Sequence, residues 1–131
     1  MWTSGEEMIL GVGIDLVMVS DIQEQIETIS GFLDEIFTKT EIEESRDRPN
    51  AYQCFAARFA AKEAFMKAAG CGWTDAVDFH EIEVRSDGSS KPTLHLSAKA
   101  SAAVDYLTPF AVYVSLTHTE AYASAVVILD R

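Results

Sequence analysis

The sequence predicts an α+β fold. Three observations carry that expectation: strand-like and helical runs do not alternate strictly, one long alanine-rich helix fills the middle, and two β-rich runs close the chain. With 131 residues and 48% hydrophobic composition, the chain has material for one domain with a single core. A chain this short often completes a deep site with a second subunit.

Residues 8–17, MILGVGIDLV, form an apolar run expected to be a buried strand, and the carboxylate of Asp15 inside it needs a reason. Ser20 is expected to cap a helix through about Ser30, with Ile22, Ile26 and Ile29 at helical spacing and Gly31 as its stop. Thr38 and Glu41 fit a capping box at the head of a short helix. Pro49-Asn50 breaks the chain before the long helix, roughly 51–69, which ends at Gly70. FHEIEV (79–84) alternates as a half-exposed strand, Asp87-Gly88 marks a turn, and Pro92 to Leu96 returns. Residues 97–107 read as a short amphipathic helix capped by Ser97. Residues 110–118 and 122–129 read as a final hairpin.

The formal net charge of −11 argues against nucleic-acid binding and against attraction to an anionic membrane surface. Only the central helix departs from it, carrying Arg58, Lys62 and Lys67 against Glu63 alone. A net-positive stretch beside a carboxylate suits an anionic ligand held through a metal, a polyphosphate above all. Cys54 and Cys71 are too few for a disulfide framework or a zinc site, and are expected as reduced core or near-core residues. The start MWTSGEEMIL lacks the basic and apolar regions of a signal peptide, and no run approaches membrane-spanning length, so a cytoplasmic protein is expected.

Helical spacing places Phe59, Glu63, Lys67 and Gly70 on one stripe and Arg58 and Lys62 on the next. Glu63 four residues before Lys67 is also the commonest surface salt-bridge pattern, and Asp15 alone reads equally well as a satisfied buried acid. His118 alone could be a strand-end histidine, while His80 and His95 read as surface or edge residues. No HExxH, CxxC, Walker loop or GxSxG is present.

The combination is more specific than its parts. Gly13-Ile14-Asp15, the run from Arg58 through Lys62-Glu63-Ala64 and Lys67-Ala68, Gly70-Cys71-Gly72, and Ser115-Leu116-Thr117-His118-Thr119 occur in the order and spacing of one family. Phe37-Thr38 with Glu41, and Lys91-Pro92, support it. From about Ile9 to Ile128 the chain resembles the holo-[acyl-carrier-protein] synthase type of 4′-phosphopantetheinyl transferase, in its small bacterial form. The resemblance implies one transferase domain over residues 1–131, with antiparallel strands packed on a long central helix. It implies transfer of the phosphopantetheine arm of coenzyme A to a serine of an apo acyl carrier protein, leaving adenosine 3′,5′-bisphosphate.

By the same resemblance, Asp15 and Glu63 hold Mg²⁺, and Lys67 contacts the reacting phosphate. Arg58, Lys62 and His118 then lie around the nucleotide end, with Thr117 and Thr119 supplying hydroxyl or backbone contacts. Gly70 and Gly72 let the chain pass close to the ligand. The proton acceptor stays open between Glu63 and a water on the metal. A homotrimer with coenzyme A between neighbouring subunits is expected. Three residues depart from the family pattern: Thr117 stands where a serine is usual, Met18 where a Glu is common, and Asp21 where an Arg often meets the acidic carrier. Asp21, Glu24 and Glu27 share a face, which implies a carrier less acidic than usual. A relative that binds coenzyme A or a carrier without transfer is the competing expectation. The residues leave the carrier's pathway open.

Overall fold

The computed structural model describes residues 8–71, 77–86 and 91–131. The chain opens on β1 (Ile9–Met18), which runs without a linker into α1 (Val19–Thr28). There follow α2 (Phe32–Ile36), α3 (Lys39–Ser45) and the 19-residue α4 (Ala51–Ala69). A 3₁₀ turn at Phe79–Glu81 leads into β2 (Ile82–Arg85), and β3 (Thr93–Leu96) pairs back on it. After α5 (Ala98–Ala103) and a second 3₁₀ turn (Asp105–Leu107), β4 (Ala111–His118) and β5 (Tyr122–Asp130) close the chain as a hairpin. The larger sheet has the order β1-β5-β4, antiparallel throughout, and packs on α4. This is the α+β arrangement expected from the sequence.

Alanine has the strongest helix propensity, and α4 is rich in it while apolar on nearly every side. A helix of that kind belongs inside. Ala60, Ala61 and Ala64 have no exposed surface, and Phe65, Ile82, Val84, Val127 and Leu129 close around the same half of the helix. Val19, Ile22, Phe32, Phe37 and Phe55 form a second cluster at its N-terminal half. The small side chains also let β1 cross α4 at main-chain distance. A Cβ built on Gly13 would lie 1.8 Å from the Ala64 carbonyl oxygen, and one on Gly11 would lie 1.9 Å from that of Ala68. No side chain fits at either position unless strand and helix part.

Several boundaries differ from expectation for local physical reasons. Ser20 does not cap α1, which starts at Val19. The Val19 amide donates to the Ala121 carbonyl (2.8 Å), so the hairpin satisfies an end that a side chain was expected to satisfy. Helix α1 ends at Thr28 with the extended Ile29 as its C-cap, ahead of the expected stop at Gly31, which at φ 80° instead starts α2, a helix the sequence reading lacked. Residues 79–81 form a 3₁₀ turn rather than strand, and the 97–107 helix splits at Val104 into α5 and a 3₁₀ turn. The Thr38/Glu41 capping box and the Ser97 cap are present as expected. The Asp87-Gly88 turn lies outside the described residues.

Strand β1 is not buried on both sides. Gly13 faces α4 and is buried, while Val12, Ile14 and Leu16 point the other way and are 57–65% exposed. Cys54 is buried and Cys71 half-buried, the Cys71 thiol directed at the Met66 carbonyl. Among the described residues, no helix is long and apolar enough to cross a membrane.

Candidate active site

The crossing of β1 over α4 brings together three of the residues singled out from the sequence. Strand alternation turns Asp15 toward α4, on the same side as Gly11 and Gly13. On α4, Glu63 and Lys67 lie one turn apart and meet it there. Lys67 Nζ donates to Asp15 Oδ1 (3.1 Å) and to the Ile14 carbonyl (3.0 Å). The Lys67 side chain is 57% exposed and that of Asp15 only 10%. Asp15 Oδ2 is buried with no hydrogen-bond partner. Burial, reinforced by the neighbouring Asp15 carboxylate and only partly offset by Lys67, pushes the Glu63 carboxyl up to about 7. Two crowded carboxylates with one orphaned oxygen and a single ammonium are short of positive charge.

That shortage tests whether Mg²⁺ suits the residues present. Mg²⁺ takes hard oxygen ligands, commonly one or two carboxylates together with substrate phosphates, and keeps several waters. Asp15 and Glu63 supply that donor set. Among the described residues, no group of three or more His, Cys, Asp or Glu could hold a metal unaided, so the remaining ligands would have to come from water and substrate.

Two expected ligand contacts are placed elsewhere. Lys62 has no exposed surface. Its ammonium donates to Glu41 Oε1 (2.7 Å), to the Phe79 carbonyl (2.9 Å) and to the Ile82 carbonyl, which uses all three N–H bonds. Burial lowers its pKa, an effect the adjacent Glu41 opposes. Arg58 is 3% exposed and donates to Glu44 Oε1 (3.0 Å), while its Nε is buried without a partner. Neither side chain is open to a ligand. Glu41 in turn also accepts from the Val84 amide (2.8 Å) and closes the Thr38 capping box, so one carboxylate joins α3, α4 and β2. Sequence reasoning missed this pairing. Its signal was there: Glu41 and Glu44 at one helical spacing, Lys62 and Arg58 at another, on helices that had to be neighbours.

The remaining candidates are spread apart. Gly70 ends α4 at φ 76°, its amide on the Lys67 carbonyl, and is exposed. Gly72 lies outside the described residues. Register through β5 aligns Asp15 with Ala125 and Leu116, and Val17 with Ala123 and His118. His118 therefore shares the face of Asp15, but two strands away, on the opposite edge of the sheet. Thr117 points to the outer face and is exposed. The Thr119 hydroxyl accepts from the Tyr122 amide (3.0 Å) and fixes the hairpin turn. Within one chain, these groups do not converge on Asp15 and Glu63. A cleft of about 600 Å³, lined by Asp34, Glu35, Asp78, Glu81 and their neighbours, includes none of the three clustered residues, and its acids disfavour an anion.

Comparison with known proteins matches residues 11–127 to the 4′-phosphopantetheinyl transferase superfamily. A holo-[acyl-carrier-protein] synthase from Koribacter versatilis (strain Ellin345) is 43% identical over 124 residues, which cover 94% of this chain and 99% of that protein. One from Geobacter sulfurreducens is 40% identical, covering 95% of this chain and 99% of that protein. The fold also matches a crystal structure of a holo-(acyl-carrier-protein) synthase from Bacillus anthracis str. Ames in complex with CoA (3′,5′-ADP). That pair shares 34% identity at a TM-score of 0.77, over 94% of this chain and 97% of the other.

Proposed function

This chain belongs to the 4′-phosphopantetheinyl transferase superfamily, and on that premise we propose that it moves the phosphopantetheine arm of coenzyme A onto a serine of an apo acyl carrier protein. The other product is adenosine 3′,5′-bisphosphate. The observation that carries this reading is the cluster of Asp15, Glu63 and Lys67 where β1 crosses α4. A relative that only binds would have no need for two carboxylates held in mutual repulsion beside a lysine.

Asp15 and Glu63 would hold Mg²⁺, which when bound supplies charge that offsets the anionic pyrophosphate and stabilises the phosphoryl centre under attack. Lys67, with its exposed stem, reaches outward to a phosphate oxygen and adds a second positive charge there. Either Glu63 or a water held beside it would receive the proton leaving the carrier serine. Gly70 brings the main chain up to the ligand without a side chain in the way.

The nucleotide end would be completed by a second copy. Val12, Ile14, Leu16 and Met18 of β1, with Tyr113 and Tyr122, leave an apolar sheet face exposed, and a homotrimer would cover it. Thr117 lies on that face and His118 at its edge, so they would serve the neighbour's site rather than their own. Residues 1–131 act as one transferase domain, in the cytoplasm. The carrier would be less acidic than usual: Asp21, Glu24 and Glu27 all lie exposed on α1, opposite the buried Val19 and Ile22. Transfer to a conventional acidic carrier should then strengthen, not weaken, as salt is added.

Mass spectrometry of an apo carrier incubated with coenzyme A and Mg²⁺ tests the reaction. The wild type should add one phosphopantetheine, and Glu63→Gln none within the time the wild type needs. Binding of coenzyme A with no change in carrier mass would establish the non-catalytic reading instead.

A further inference from the structure

We propose that Lys67 competes with the divalent cation for Asp15, holding one of its carboxylate oxygens until the ion arrives and then turning to the anionic substrate. The inference rests on the reading that Asp15 and Glu63 hold such a cation. Lys67 Nζ sits 3.1 Å from Asp15 Oδ1 and 3.0 Å from the Ile14 carbonyl, so it holds a carboxylate that an ion shared with Glu63 would also need. An ammonium and a divalent ion within a few ångströms of each other repel, so each weakens the other's hold on Asp15.

Exposure decides which side chain moves. Asp15 is 10% exposed on a strand pinned to α4, whereas the Lys67 stem is 57% exposed and free to swing. Lysine is also an incomplete partner here, because Asp15 Oδ2 stays buried and unbonded beside it. No other basic side chain on α4 can take its place, since Lys62 and Arg58 are held by Glu41 and Glu44.

Cation and substrate then help each other. The ion releases Lys67 toward the phosphate, and a phosphate that engages Lys67 clears Asp15 for the ion. Linkage requires the two effects to be equal. Lysine at this position thus weakens cation binding alone and makes that binding depend more strongly on substrate.

Direct titration with Mn²⁺, read by electron paramagnetic resonance of the free ion, needs no turnover. It would use wild type, Asp15→Asn, Lys67→Met and Lys67→Gln, each checked for fold by circular dichroism, with and without coenzyme A. The expected result is loss of binding in Asp15→Asn, and affinity about five- to tenfold tighter than wild type in both Lys67 variants without coenzyme A. Adding coenzyme A should tighten Mn²⁺ binding more in wild type than in either. If Asp15→Asn abolishes binding but both Lys67 variants bind no tighter than wild type, the competition is refuted while the cation site stands. If Asp15→Asn binds as well as wild type, the cation site itself is refuted, and the competition with it.

Discussion

Helix α4 carries two lysine–carboxylate clusters five residues apart, and they do opposite things. At Lys62, every donor has an acceptor, and Glu41 answers with a second amide and a cap. At Lys67, one ammonium faces two carboxylates, an oxygen is left without a partner, and Glu63 is pushed up to about 7. The residue types are the same. What differs is closure: complete pairing out of water fixes neighbouring elements, whereas incomplete pairing at the surface leaves electrostatic free energy for a ligand to release.

The sharpest way to break this contrast is at the closed cluster. Lys62→Met leaves Glu41 charged and buried without its counter-ion, which should cost about 3–5 kcal/mol of stability. Urea denaturation measures it, and a loss under about 1 kcal/mol would mean that the pair resembles an ordinary surface contact. At the open cluster the effect should fall on rate instead. Glu63→Gln should slow transfer by about a hundredfold or more, roughly 2.7 kcal/mol of barrier, with no loss of melting temperature at pH 8.

The pH dependence follows in sign from the raised Glu63 value. Its folded pKa of about 7 exceeds the ordinary 4.5, so its contribution to stability is complete below 4.5 and is lost as pH rises through 7. Melting curves at pH 5 and pH 8 should show wild type falling relative to Glu63→Gln, and Mg²⁺ should narrow that gap at pH 8. The smallest effect belongs to the cap that orients Glu41. Thr38→Ala removes the acceptor of the Glu41 amide and should cost about 1 kcal/mol with little change in transfer rate.

The open cluster was more legible in the sequence than the closed one. Asp15 in an apolar run announced a buried acid, and Glu63 with Lys67 at helical spacing announced a shared stripe. The family pattern joined them across the chain. Lys62 and Arg58 were read as part of the same cationic surface because periodicity reports a face of a helix, not what packs on it. Glu41 and Glu44, contributed by a separate short helix, turn that face inward. Helix caps made of side chains were readable at Thr38 and Ser97, while the start of α1 was not. Its first amide is satisfied by the Ala121 carbonyl, more than a hundred residues along the chain. Strand β1 was expected to be buried, yet Val12, Ile14 and Leu16 are exposed, because an apolar run reads the same whether one of its faces or both are covered.

The glycine crossing limits how this protein can change. What a methyl at position 13 would strike is a backbone oxygen, so trimming Ala64 to glycine leaves the collision in place, and no nearby exchange of side chains makes room. A lineage drifting elsewhere in sequence is therefore barred from exploring these two positions, and Gly13→Ala should have no local suppressor. Most of the surrounding core can be repacked by trial. The gap between strand and helix that carries the two acids is inherited whole.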